Sequence, residues 1–284
     1  MRMTKERELI PCPYCRSDSF EAWAEERGFT AVRCRNCRLL YCNPRPALPA
    51  IDSAVRSGAH GSDAGGLDVT SRRVPRRVLR YQRIFDEMFD DLWAAGKPVS
   101  WMDVGAGYGE VLEALLVLAP KGSRIVGLEP MHPKAEKARE RGLSVVEDYL
   151  RPEHGRVERV QVVSTVDVFS HIPDFWEFLL SVKAVLQPGG EFFVETGNLA
   201  DLQHREEFPG ELGLPDHLVF AGESHLLGFL ERAGFDVVRI RRERIDGLLN
   251  LGKNVIKKLI GRPAQFGMPY TSAYRQLQVR ARLR

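Results

Sequence analysis

The segment Asp103-Val104-Gly105-Ala106-Gly107-Tyr108-Gly109, entered from the apolar run Val99 to Met102, constrains this chain more than any other. It predicts a buried strand ending in a glycine turn, with a helix over Glu110 to Leu118 behind it. Glycines let the backbone turn tightly and approach a ligand with no Cβ in the way. A second apolar strand, Arg124 to Leu128, ends in Glu129, which is placed to accept hydrogen bonds from ribose hydroxyls. Strand, glycine turn, helix, strand and acid make one nucleoside-binding half of a doubly wound α/β sheet. A dinucleotide site needs G-x-G-x-x-G, and the third glycine counted from Gly105 would fall on Glu110. A carboxylate there repels a pyrophosphate packed against the helix start. The turn therefore suits a nucleoside without phosphates.

These residues resemble class I S-adenosylmethionine-dependent methyltransferases, whose first motif has the form D-x-G-x-G-x-G. Val162 to Asp174 is similar to the fourth strand of that family and the turn after it. Leu186-Gln187-Pro188-Gly189-Gly190 and Glu191 to Thr196 are similar to its helix stop and fifth strand. The proline ends the helix, and the glycines supply positive φ to re-aim the chain. Leu226 to Phe235 resembles the late helix before a sixth strand at Val237 to Ile240. The resemblance spans about Pro98 to Ile240 and implies a Rossmann-like methyltransferase sheet with S-adenosylmethionine as cofactor. It implies that Gly105, Gly107 and Gly109 pass under the methionine part, and that Asp103 orients the turn and reaches the amino group through water. It gives the ribose to Glu129 and the adenine amino group to Asp148, with Tyr149 beside it. Val78, Tyr81, Ile84, Phe85, Met88, Phe89 and Leu92 recur at helical spacing and read as a core-packing stripe; the resemblance implies that this helix covers the cofactor cleft, with Tyr81 lining it.

Cys12-Pro13-Tyr14-Cys15 and Cys34-Arg35-Asn36-Cys37 are two C-x-x-C knuckles with zinc-ribbon spacing. Four thiolates would close a tetrahedron around Zn²⁺ and leave no open position for water, so the expected role is structural. A ribbon this small buries little core and depends on its metal to fold. Cys42, the fifth cysteine, reads as a small buried apolar residue. Cys34 to Pro46 also resembles the zinc-binding module that precedes some sugar C-methyltransferases. Those enzymes carry a further large C-terminal domain, for which residues 241–284 are too short. That departure keeps O- and N-methylation open.

Four segments are expected. They are a zinc-ribbon module over 1–49, a Gly/Ser-rich linker and amphipathic helix over 50–97, a methyltransferase domain over 98–245, and a C-terminal helix and basic tail over 246–284, with a helix at 248–259. Residues 198–220, broken by Pro209, Gly210, Gly213 and Pro215, read as a substrate-side insertion. At 284 residues, 44% hydrophobic and 28% charged, the composition is that of a globular protein. A net charge of +3 generates no global field for nucleic acid. Arginines do cluster at 72–83, at 239–244 and at 275–284. They read as solvated faces or as a groove for an anionic, nucleotide-linked substrate. No apolar run of membrane length and no signal-peptide core is present, so a cytoplasmic protein is expected.

Methyl transfer from a sulfonium is an in-line displacement, and a hydroxyl acceptor needs a base. Three histidines compete, His171 after the fourth strand, His217 in the insertion with Asp216 adjacent in sequence, and His225, which opens the late helix and reads as a cap-region residue. The leading expectation is transfer to a small-molecule acceptor, a sugar or natural-product intermediate, with O-methylation slightly favoured. The alternatives are a zinc-ribbon RNA methyltransferase and a non-catalytic binding protein that keeps the fold. Ser170-His171-Ile172-Pro173 stands where enzymes that methylate base amino groups carry Asn/Asp-Pro-Pro-Tyr.

Overall fold

The computed structural model describes residues 7–60, 67–68, 70, 72–208, 210–244 and 273–284, with isolated positions at 252, 255–256 and 258–259. The helix expected at 248–259 lies largely outside the described residues. The apolar run before the glycine turn is strand β4 (Ser100–Val104), and the turn opens helix α3 (Glu110–Leu118). Strand β5 (Arg124–Leu128), helix α4 (His132–Arg139), strand β6 (Val145–Val146) and strand β7 (Val160–Val166) follow. Helix α5 (Phe175–Val185) leads into strand β8 (Leu186–Gly197), and helix α6 (Glu223–Arg232) into strand β10 (Phe235–Arg244). Asp174 caps α5, its carboxylate accepting the Trp176 and Glu177 N–H groups.

A last strand, β11 (Arg275–Leu283), completes a seven-stranded sheet of order β6-β5-β4-β7-β8-β11-β10, parallel except for β11. Strand order reverses between β4 and β7, so a crevice opens beyond their carboxyl ends. Alternate residues serve opposite faces of the sheet. Trp101 and Phe193 pack with Tyr81, Phe85 and Phe89 of the lead-in segment, where helix α2 (Arg76–Met88) runs, and with α3. Met102 and Phe192 pack with α5 and α6. The aromatic stripe of α2 is thus core packing.

The basic tail expected at the C-terminus is instead a core strand. Leu277, Val279 and Ala281 are buried on one face of β11, and Gln278 and Arg280 are buried on the other. Arg280 reaches Glu191 at 2.7 Å and Asp91 at 2.5 Å, and donates to the Met88 carbonyl. The two-residue alternation of Leu, Val, Ala and Leu was masked by the arginines between them.

The N-terminal module is a sheet of order β9-β3-β2-β1, built from β1 (Phe20–Glu26), β2 (Phe29–Cys34), β3 (Leu40–Cys42) and β9 (Val219–Phe220). Its fourth strand comes from the insertion after β8, so module and insertion share one sheet. The boundary expected at 49/50 also moves. Helix α1 (Leu48–Ser57) runs through it, started by a proline in its first turn and stopped by Gly58 in the left-handed conformation. Ile51 and Ala54 bury its inner face, an amphipathic signal hidden by the Gly/Ser/Asp content of the segment.

Glu191 is buried among arginines, so Arg280→Ala strands a carboxylate with only Arg282 beside it. Urea unfolding is expected to show a loss of about 3 kcal/mol; a loss no larger than that of an exposed arginine would contradict this role.

Candidate active site

The crevice at the carboxyl ends of β4, β5 and β7 holds a cavity of about 590 Å³, within the range of small-ligand sites. Its floor is the glycine turn. Gly105 (φ +75°) and Gly107 (φ +56°) line it, in a conformation that costs other residues about 1–2 kcal/mol. A Cβ on Gly105 would strike Val168, whereas one on Gly107 would meet nothing and stand in the cavity. Gly109 differs from the expectation. It is the N-cap of α3 with φ +88°, a Cβ there would run into Leu143, and it is not part of the cavity wall. Its role is packing between α3 and α4.

Glu129, at the end of β5, is 5% exposed and stitches this floor together. One oxygen accepts the Gly107 N–H at 2.7 Å and the other accepts the Met131 N–H at 2.9 Å. Burial raises its pKa, and the two N–H groups oppose that rise. Each oxygen keeps a lone pair for a ligand hydroxyl. Asp103 lies beneath the turn and outside the wall. One of its oxygens accepts from the Ser164 hydroxyl at 2.5 Å, and the other is buried with no partner. Burial pushes its pKa up to about 7. Glu110 binds the Val74 N–H at 2.9 Å and so ties the lead-in segment to the turn.

Asp148 and Tyr149 line the same cavity, as does the buried Tyr81. The sequence reading missed α1 here. Val55 forms part of the wall, and the Arg56 guanidinium sits 5.0 Å above the Tyr149 ring.

His171 and His217 also line the cavity, with rings edge to face at 4.7 Å. Asp216 partners His171, its sequence-distant neighbour, through a 3.1 Å contact between Nδ1 and the carboxylate. Burial lowers the pKa of His171, but the Asp216 hydrogen bond and charge outweigh it and hold the imidazole above its ordinary value. His217 donates from Nδ1 to the Leu212 carbonyl at 2.6 Å. Burial, then the charge of His171, pushes it down to about 4. Ligand atoms of the trio lie within 4.8 Å of one another, but one nitrogen of each ring is already committed to a hydrogen bond. Asp167, in the left-handed region at φ +57°, closes the wall and accepts from Gln276 at 3.0 Å. Glu195 is sealed away from the cavity by Arg80 at 2.9 Å and Gln278 at 2.7 Å. His225 is a capping residue that accepts the Gly222 N–H and donates to the Cys37 carbonyl.

In the module, Cys12 and Cys37 sulfurs are 3.5 Å apart, and those of Cys15 and Cys34 are 3.6 Å apart. All four lie within 4.8 Å of one another. A disulfide needs about 2.05 Å, whereas four sulfurs around zinc at 2.3 Å would stand about 3.8 Å apart. The donor set and its size fit a tetrahedral metal.

A family model described as a methyltransferase domain matches residues 73–240. The chain belongs to that methyltransferase family. It is 28% identical over 151 residues to the C-methyltransferase NovU of Streptomyces niveus, covering 51% of this chain and 35% of that one. It is 32% identical over 114 residues to a ubiquinone biosynthesis O-methyltransferase of Actinobacillus pleuropneumoniae, covering 36% and 47%. The methyltransferase chain thus spans half or less of the length of these relatives. The solved structure of the PH0226 protein from Pyrococcus horikoshii superimposes with a TM-score of 0.52 at 12% identity, over 75% of this chain and 92% of that one, a likeness of fold. Among the described residues, no helix is long and apolar enough to cross a membrane.

Proposed function

We propose that this methyltransferase binds S-adenosylmethionine in the 590 Å³ cavity and methylates a hydroxyl of a small molecule. The cofactor supplies a methyl group already activated on a sulfonium. The observation that carries the reading is one cavity lined both by a nucleoside cradle and by an Asp–His pair. Glu129 would hold the ribose hydroxyls. Gly107 leaves room for the cofactor's chain, and the partnerless oxygen of Asp103 awaits a donor beneath it. Asp148 and Tyr149 would flank the adenine. The wall carries five carboxylates (Glu110, Glu129, Asp148, Asp167 and Asp216) against Arg77 and Lys134. That balance favours a cationic ligand and disfavours an anionic group at the reacting end.

His171 is the better base of the two histidines. A catalytic base works best with a pKa near the working pH, and His171 sits above the ordinary histidine value while His217 is pushed down to about 4. Asp216 orients His171 and stabilises the imidazolium once the acceptor proton has moved. His217, neutral with its Nε2 lone pair open, accepts a hydrogen bond from the acceptor. Similarity to both a C- and an O-methyltransferase supports a small-molecule acceptor, a sugar or natural-product intermediate, with an oxygen nucleophile favoured by the base. Many clustered arginines are held in ion pairs, among them Arg80, Arg241, Arg242 and Arg280, which weakens the case for an RNA grip. The four cysteines would hold a structural Zn²⁺ with no open position, supplying folding energy to the module.

Calorimetry with S-adenosylhomocysteine is expected to show binding that falls about 10- to 100-fold in Glu129→Gln, the value of a hydrogen bond to a charged group; unchanged affinity overturns the cradle. Methyl transfer, assayed across hydroxylated small molecules, should rise with pH as His171 loses its proton, at a pKa above that of an ordinary histidine. Asp216→Asn removes the group that raises that pKa, so the limb should move to lower pH; a fixed limb rejects His171 as the base. Elemental analysis should find one zinc per chain, lost in Cys34→Ser together with thermal stability, and a metal-free protein of unchanged melting temperature would refute the ribbon.

A further inference from the structure

The cysteine module does more than pack beside the catalytic domain, and the contact responsible is a single carboxylate. Glu26 ends β1, and its side chain is only 16% exposed. One oxygen accepts the Leu212 N–H at 2.7 Å. The other accepts the Gly213 N–H at 2.8 Å and the Leu214 N–H at 3.1 Å. Three successive N–H groups thus wrap one anion, the geometry of a backbone nest. Arg27 holds the same carboxylate from the module side at 2.5 Å.

The other side of this turn faces the cavity. The Leu212 carbonyl accepts from Nδ1 of His217, and the Gly213 carbonyl accepts the His217 N–H at 3.1 Å. The His217 ring lies against Gly213, which has φ +78°. Asp216, the partner of His171, is carried on the same turn. The next residues lock it from two sides. Leu218 donates to the Ser170 carbonyl at 2.6 Å, and its own carbonyl accepts the Cys42 N–H at 2.8 Å.

We propose that Glu26 is a positioning residue for both active-site imidazoles, acting through the 212–217 turn. By gathering three N–H groups on one side it aims the Leu212 carbonyl at His217. That carbonyl selects the ring tautomer whose Nε2 lone pair stays open. The same turn sets where Asp216 meets His171. The proposal rests on reading this cavity as the methyl-transfer site, but its test does not depend on turnover.

The test is nitrogen NMR of the histidine rings in full-length, ¹⁵N-labelled protein, with S-adenosylhomocysteine as the probe of cofactor binding. In the unaltered protein His217 is expected to carry its proton on Nδ1. Glu26→Gln puts an NH₂ against the nest, and Glu26→Asp keeps the charge but withdraws it by one methylene. Both should lose the single His217 tautomer and shift the His171 ring signals, with affinity for S-adenosylhomocysteine unchanged. A His217 found protonated on Nε2 in the unaltered protein overturns the proposal, even if neither variant folds. So do ring spectra that stay the same in Glu26→Gln or Glu26→Asp. Failure of S-adenosylhomocysteine to bind any form counts against the methyltransferase reading and leaves the ring measurement standing.

Discussion

The antiparallel pairing of Leu40–Cys42 with Val219–Phe220 is the contact on which the arrangement of the 198–220 insertion depends. It makes one sheet out of chain segments nearly 180 residues apart. Each partner would otherwise leave an open row of backbone donors and acceptors. Buried polar groups reinforce it. The Arg33 guanidinium, 2% exposed, donates to the Ala200 carbonyl at 3.1 Å and the Leu202 carbonyl at 2.6 Å. Trp176 of α5 donates to the Pro13 carbonyl, and Arg45 donates to the Pro173 carbonyl. Module side chains therefore satisfy carbonyls that follow β7 and β8, and an α5 side chain satisfies one in the module, where an unpaired carbonyl would cost about 1–3 kcal/mol.

The catalytic domain was legible where its signal is local. Apolar strands, glycine turns and an acid at a strand end are short-range patterns, and the strand, glycine turn, helix and second strand lie where the sequence put them. Gly109 shows the limit of that legibility. A glycine can be required by a ligand or by a neighbouring side chain, and only the position of Leu143 decides between them. The pairing of His171 with Asp216 was unreadable because adjacent residues on a turn face different ways, so the carboxylate next to His217 in the chain serves a ring from another element. The two missed elements have compositional causes. In α1 the small and polar residues obscured a helical stripe, and in β11 the arginines obscured a strand alternation.

Those arginines explain why charge counting alone misleads. Three arginines in nine residues suggest an exposed polyelectrolyte, yet β11 lies between β8 and β10 in the sheet. Arg280 is 1% exposed because Glu191 and Asp91 compensate it, with the Met88 carbonyl taking a further N–H. Net charge is set by the whole composition, whereas burial of a cation depends on whether carboxylates from other strands and helices converge on it.

Sharing a sheet has a consequence for how such proteins diversify. A loop that shapes an acceptor pocket is ordinarily free to be exchanged between relatives, since its ends are its only attachments. Here residues 198–220 lend a strand to the module, donate backbone N–H groups to Glu26 and accept hydrogen bonds from Arg33. A recombinant that imports a foreign loop without the matching N-terminal sheet inherits an unmatched edge and an orphaned guanidinium.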